Sequence, residues 1–334
     1  MKIVNCLFSA SKSNAQLTNV MRRPHDDIGK LITQVLHLDQ IDENKFRANH
    51  LLQGRMFLDA VYGGQAYSST VRAASLTVNK EFLPHSAHAY FIKSGDVNQP
   101  VDFNVKRVRD GRSFCTRYVE ATQNDKLLTT ALISFHVQEE AAVRHQQPMN
   151  EYCYPESLKS WPEVLEEAAA DSRETTTSYH KKMIDLKMRM TPPIFNKLLD
   201  IRPLDPDRWS MRSLYNKNVA PTHHIYVKAK ASPGVDQIDH RILGAFISDI
   251  TLMETALVDH MASGFFPTML YSLDNNVYFH SDINLNDWLL IECTSPIAEN
   301  GRAYAEARAW NVADRKIVMS MSQEGIVRLT NKKK

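Results

Sequence analysis

The sequence lacks a charge excess, a long apolar run and any patterned cysteine. Its 334 residues carry 40 basic and 38 acidic side chains, a net charge of +2. That balance removes the electrostatic argument for nucleic acid or an anionic membrane as partner. No stretch approaches the ~18 consecutive apolar residues of a membrane-spanning helix. The cysteines, Cys6, Cys115, Cys153 and Cys293, show no CxxC or Cys/His ligand spacing. A reducing compartment is therefore expected, with neither a disulfide framework nor a zinc site. A nucleophile elbow GxSxG, a phosphate loop and an HExxH pair are also absent, which excludes the common hydrolase, nucleotide-binding and metalloprotease signatures. What remains is 43% apolar and 23% charged, a globular composition, in a chain long enough for two domains with their own cores.

The chain says one thing twice. Asp110-Gly111-Arg112-Ser113-Phe114 is followed by Tyr118-Val119-Glu120-Ala121, a polar break at Gln123-Asn124-Asp125-Lys126, and an apolar-rich stretch through Phe135. Asn300-Gly301-Arg302-Ala303-Tyr304 is followed by Arg308-Ala309-Trp310-Asn311, a break at Ala313-Asp314-Arg315-Lys316, and Ile317-Val318-Met319. Tyr90-Phe91 and Tyr278-Phe279 precede the two copies, 188 residues apart, while Gly111 and Gly301 are 190 apart. Periods that long are not those of a solenoid; they imply two fused copies of one domain.

The organisation expected is an N-terminal extension over 1–27, a first domain over 28–140, a connector over 141–192 and a second domain over 193–330. Residues 28–39 read as an amphipathic helix. Gly63-Gly64-Gln65-Ala66 opens a small-residue helix suited to close approach to a sheet. Alternating runs at 85–92, 101–109, 113–122 and 126–137 read as antiparallel strands joined by turns at Asp110-Gly111 and Asn124-Asp125. Pro148, Pro155 and Pro162 and an acidic helix mark 141–192 as an exposed connector. The second copy repeats the layout, with one long helix from about Asp239 to Met261 and strands at 198–203, 224–230, 268–279, 288–296, 303–311 and 317–329. A helix followed by antiparallel strands, twice, is an α+β layout in which a curved sheet wraps its helix. That is a double hotdog, its two sheets pairing edge to edge and hiding two exposed edges.

Polar residues in apolar settings are the candidates for chemistry. Asp249 interrupts Ala245-Phe246-Ile247-Ser248 and Ile250-Thr251-Leu252; a carboxylate there is either desolvated, with the raised pKa of a general base, or a surface residue of an amphipathic helix. Ser272 and Gln323 stand at ordinary strand positions, and His85, His88 and His280 read as acid–base candidates or as satisfied histidines at strand ends.

Taken together, Gly63-Gly64-Gln65, His85 through Phe91, Gly95-Asp96 and Arg109 through Phe114, then Ser248-Asp249, Tyr278-Phe279-His280, Asn286-Asp287-Trp288 and Gln323-Glu324-Gly325, resemble the type II acyl-CoA thioesterases, the thioesterase B and acyl-coenzyme A thioesterase 8 family of double hotdogs. The ordered motifs cover roughly residues 28–330. The resemblance implies hydrolysis of fatty acyl-CoA to a free acid and coenzyme A by a catalytic Asp249, Ser272 and Gln323; a change at Asp274, outside the trio, is expected to cost far less turnover than one at Asp249. It implies acyl-CoA as the partner, with self-association left open, and no metal or redox cofactor, coenzyme A being part of the substrate. Hotdog enoyl-CoA hydratases and silent acyl-CoA-binding proteins are the alternatives. Lys93-Ser94 departs from the family's Arg-Pro. The family implies a peroxisomal matrix location, yet the chain ends in Asn331-Lys332-Lys333-Lys334 rather than an SKL-type signal. Its first acid is Asp26, so an organellar transit peptide, a disordered extension or an N-terminal peroxisomal signal at Lys30-Leu31 and His37-Leu38 are the other readings, and mitochondrial or cytoplasmic residence the alternatives.

Overall fold

The computed structural model describes residues 28–55, 58–171, 178–191, 193–212 and 219–329; the N-terminal 1–27 and the C-terminal lysines lie outside them. Helix α1 (Ile28–Leu36) buries Ile32, Val35 and Leu36, the apolar face its spacing predicts. It leads through β1 (Asp39–Asp42), β2 (Lys45–Ala48), β3 (Gln53–Arg55) and β4 (Leu58–Val61) to helix α2 (Gly63–Ser75). Strands β5 (Phe82–Phe91), β6 (Val101–Asp110), β7 (Phe114–Gln123) and β8 (Lys126–Val137) follow. Helices α3 (Trp161–Ala170), α4 (Ser178–Met190) and α5 (Pro193–Leu198) lead to β9 (Leu199–Pro203), α6 (Pro206–Trp209) and β10 (Thr222–Ala229). The remainder is α7 (Gln237–Ser248), α8 (Leu252–Thr255), α9 (Val258–Ala262), β11 (Met269–Ser272), β12 (Asp274–Phe279), β13 (Leu289–Glu299), β14 (Arg302–Asn311) and β15 (Lys316–Arg328).

Apart from β3 and β4, which pair only with each other, the strands join in one antiparallel sheet in the order β1-β2-β6-β7-β8-β5-β12-β15-β14-β13-β10-β9, with β11 paired to β15 beside that path. Asn124 and Asp125 turn β7 into β8 with φ of 49° and 60°, the doubly positive geometry of a tight hairpin. Period-two alternation drives the pairing: along β7, Cys115, Val119 and Ala121 face the core while Thr116, Tyr118 and Glu120 are half-buried.

The two copies meet at β5 and β12, where Tyr90 lies opposite Asp274, His88 opposite Asn276 and Ser86 opposite Tyr278. A shift of 188 residues carries Tyr90 onto Tyr278 and His88 onto Asn276. The internal twofold axis therefore passes through the His88–Asn276 pair, whose Nδ1 and Oδ1 are 3.0 Å apart. The sequence repeat and the sheet share one centre.

Beneath this seam α2 and α7 pack antiparallel. Arg72, late in α2, pairs with Asp239 at the start of α7 at 3.0 Å, and the hydroxyl of Tyr62, just before α2, donates to the Phe246 carbonyl at 3.1 Å. The beginning of α2 thus abuts the end of α7.

Two expectations are corrected. The long helix over 239–261 is broken: α7 ends at Ser248, Asp249 adopts φ −87° and ψ 4°, and short helices resume at Leu252. Asp249, Ile250 and Thr251 are three weak helix formers in a row. The start of the break is also held from outside the helix, Ser248 by Asn275 at 3.0 Å and Asp249 by Gln323 at 2.6 Å. The connector, in turn, is not simply exposed. Ser160 and Glu163 form a capping box at α3, which buries Trp161, Val164, Leu165 and Ala168. Trp161 packs edge-on against Trp209 and Phe195, with ring centroids 4.9 and 6.0 Å away.

Candidate active site

Three elements bring the predicted polar residues together. Asp249 caps the end of α7, Ser272 is the last residue of β11, and Gln323 faces inward from β15, 1% exposed. Gln323 Nε2 donates to Asp249 Oδ1 at 2.6 Å, and Ser272 Oγ approaches the same oxygen at 3.5 Å. Gln323 Oε1 is buried with no partner among the described residues. Such an atom costs free energy unless water or a ligand reaches it.

The second carboxylate oxygen faces the start of α2. A Cβ placed on Gly63 would lie 2.8 Å from Asp249 Oδ2, so a side chain larger than hydrogen does not fit there without displacing the carboxylate. The N–H groups of Gly63 and Gly64 head the helix, where no preceding turn supplies acceptors, and a helix start favours negative charge. Burial, with the negative charge of Asp249 second, pushes the Tyr62 phenol well above its ordinary range.

The strand geometry around Ser272 and Gln323 is set by a handover. Leu273 N–H donates to the Glu324 carbonyl at 2.8 Å while the Leu273 carbonyl accepts from Phe91 N–H at 2.8 Å. Ser272 is thereby fixed opposite Gly325 on β15, and Asn276 opposite Ser322. Asp274 Oδ1 accepts from the Glu324 N–H at 2.6 Å, fixing the backbone beside Gln323. Asp274, outside the trio, thus has a structural contact beside it.

Asp249 and Ser272 border a cavity of about 610 Å³ between the two halves and the connector. Gly63 and Phe91 line it from the first half, Trp161 and Lys187 from the connector, and Met253 and Glu254 from the second. The connector's contribution was missed. The signal was available in α4, where Lys187 stands four residues after Met183 and three after Ile184, on the face those two bury.

The other candidates lie elsewhere. His85 Nε2 meets Ser134 Oγ and His280 Nε2 meets Ser320 Oγ, both at 2.8 Å, and His88 sits in the central pair; none of the three borders the cavity. Burial pushes the Cys293 thiol up to about 11, so it supplies no thiolate nucleophile near neutral pH. Among the described residues no group of three or more His, Cys, Asp or Glu is arranged to hold a metal ion. None of their helices is long and apolar enough to cross a membrane.

Comparison with known proteins returns acyl-CoA thioesterases. The family model described as acyl-CoA thioesterase N-terminal domain matches residues 52–136, and that described as acyl-CoA thioesterase matches 198–326. Acyl-coenzyme A thioesterase 8 of Mus musculus is 30% identical over 301 residues, 90% of this chain and 89% of the relative. Peroxisomal acyl-coenzyme A thioester hydrolase 1 of Saccharomyces cerevisiae is 24% identical over 328 residues, 89% of this chain and 94% of the relative. The crystal structure of an acyl-CoA thioesterase II from Mycobacterium marinum superposes with a TM-score of 0.70 at 25% identity, covering 90% of this chain and 99% of that one.

Proposed function

The chain belongs to the acyl-CoA thioesterase family and so is a thioester hydrolase, and from that premise we propose that it cleaves fatty acyl-CoA with a water molecule activated by Asp249. The observation that carries this reading is the pairing of Asp249 Oδ1, on a residue that borders the cavity, with Gln323 Nε2, whose amide Oε1 is buried with no partner among the described residues. Gln323 fixes the carboxylate with one end of its amide and offers the other to a water hydrogen. Asp249 takes the second hydrogen as the water oxygen attacks the thioester carbonyl. Ser272 holds the water or the carboxylate from the opposite strand. The oxyanion is met by the N–H groups at the start of α2. Collapse of the tetrahedral intermediate expels coenzyme A as a thiolate, whose conjugate acid has a pKa near 8.5, and the proton on Asp249 returns to it. A thiolate leaves readily, so the proposal includes no metal or redox cofactor.

The polar groups of the cavity favour hydrolysis over the alternatives. An enoyl-CoA hydratase needs a His/Asp pair, whereas His85, His88 and His280 are engaged with Ser134, Asn276 and Ser320. A silent binding protein has no use for a carboxylate fixed by a buried amide. We keep 28–140 and 193–330 as the two units, a division supported by the strand order.

The test is thiol release by purified protein across acyl-CoAs from acetyl to palmitoyl, in excess chelator. Release is expected from at least one medium- or long-chain substrate; no release from any of them by folded protein contradicts the proposal. A peroxisomal matrix location is also proposed, supported by the yeast relative's name. A C-terminally tagged chain should colocalise with a peroxisomal marker, and exclusive mitochondrial or cytoplasmic signal contradicts that.

A further inference from the structure

A second polar feature borders the same cavity and plays no part in the chemistry above. Lys187 of α4 and Glu254 of α8 form an ion pair, with side chains 3% and 26% exposed. The ammonium is fully engaged: it donates to the Trp209 carbonyl at 2.5 Å and to Glu254 Oε1, and lies 3.5 Å from the centroid of the Trp209 ring. Glu254 is not. Its Oε1 is held by Lys187, while Oε2, on a side chain that keeps 26% of its surface open, takes no side-chain or backbone hydrogen bond among the described residues. The wall around the pair is apolar: Met211, Met253, Leu257, Met261 and Leu270 line the cavity and pack in one cluster.

An ion pair with its ammonium buried is an expensive way to join two helices, since apolar residues of similar volume are often as good or better. This one leaves a charged acceptor beside methionine and leucine side chains. A group that meets it must donate a hydrogen bond and otherwise be apolar. A carboxylate at the far end of a substrate fails, because the ammonium is engaged and Glu254 repels it. The amides of coenzyme A's pantetheine arm fit poorly, because each brings a carbonyl that would lie unpaired against the apolar wall. A hydroxyl on a hydrocarbon chain fits.

We propose that Glu254, held by Lys187, is a specificity-determining residue that accepts a hydrogen bond from a hydroxyl on the acyl chain. Hydroxylated fatty acyl-CoAs are then better substrates than unsubstituted chains of the same length. The inference rests on the hydrolase reading for its reaction, and on the cavity alone for its ligand.

The experiment compares kcat/KM for dodecanoyl-CoA with that for monohydroxydodecanoyl-CoAs carrying the hydroxyl from mid-chain to the terminal carbon. The wild-type protein and the double variant Lys187→Met/Glu254→Leu are assayed side by side; removing both partners leaves no buried charge behind. At least one hydroxylated isomer should exceed dodecanoyl-CoA with the wild type. The ratio of the two values should fall about 10- to 100-fold in the variant, the worth of one hydrogen bond to a charged acceptor. The proposal is overturned if no isomer exceeds dodecanoyl-CoA, or if the ratio is the same in both proteins, as a mere helix staple or a contact with coenzyme A would give.

Should the variant fail to fold, the wild-type dissociation constants of hydroxydodecanoic acids and dodecanoic acid decide: one isomer binding more tightly supports the proposal, and none doing so overturns it. Absence of thiol release from every substrate would remove the hydrolase reading instead, and the same binding measurement would still decide the ligand.

Discussion

Replacing Asp249 by asparagine is expected to lower turnover on acyl-CoA by about 10²- to 10⁴-fold, the usual contribution of a general base. Asparagine keeps the shape and one oxygen that Gln323 Nε2 can still reach, so the contact that spans 74 residues of chain survives while the basicity does not. The loss should fall on kcat, with acyl-CoA binding and the urea unfolding midpoint near wild type. Ser272→Ala and Gln323→Ala should also lower kcat. In the proposed mechanism all three groups serve one water and one carboxylate oxygen, so the double variants should lose less than the product of the singles. Retention of more than about a third of wild-type turnover by Asp249→Asn would show that the carboxylate is not the base, since that loss is far below the expected contribution.

The adjacent glycines at the start of α2 should separate activity from stability. A Cβ at Gly63 meets the Asp249 carboxylate at 2.8 Å, the end of a side chain that can move aside. Gly63→Ala should therefore fold normally yet lose about 10²-fold in kcat, because a displacement near 1 Å at the reacting group costs that much. A Cβ at Gly64 meets the Phe246 carbonyl oxygen and the Tyr62 ring at 2.5 Å each. Neither can retreat: one is the backbone of α7 and the other a buried ring whose hydroxyl is bonded to that same carbonyl. Gly64→Ala should cost about 1–3 kcal/mol or more in unfolding free energy, as overpacking of a close contact does. Urea unfolding and thiol release on both variants check the split. A fully active Gly63→Ala would show that the carboxylate tolerates displacement and that its position beside α2 is incidental.

Much of this was readable in the sequence because its signals are local. Lys126 through Val137 alternates and is bounded by Asn124-Asp125, and it forms a strand with those limits. The pairing of β5 with β12 about His88 and Asn276 follows from a repeat offset that needs no coordinates. The break at Asp249 was not readable. Residues 242–262 are apolar enough to continue as helix, and what holds the break open comes from Asn275 and Gln323 on distant strands. Asp274 likewise reveals its task only when β15 brings Glu324 alongside. The connector was misjudged because its prolines and acids are conspicuous in sequence, while the inward faces carrying Trp161 and Lys187 become visible only against the cavity they close.

In the proposed mechanism Asp249 delivers water to the thioester rather than attacking it. A single turnover in ¹⁸O-labelled water, with enzyme in excess over acyl-CoA, tests for direct attack whose intermediate opens at the aspartyl carbon. Direct attack forms a mixed anhydride on Asp249, and its hydrolysis at the aspartyl carbon leaves solvent oxygen in the protein. General-base catalysis puts the solvent oxygen into the released fatty acid alone. Mass analysis of the product and of the peptide containing Asp249 should find one labelled oxygen in the acid and none in the peptide; label in that peptide would contradict the account.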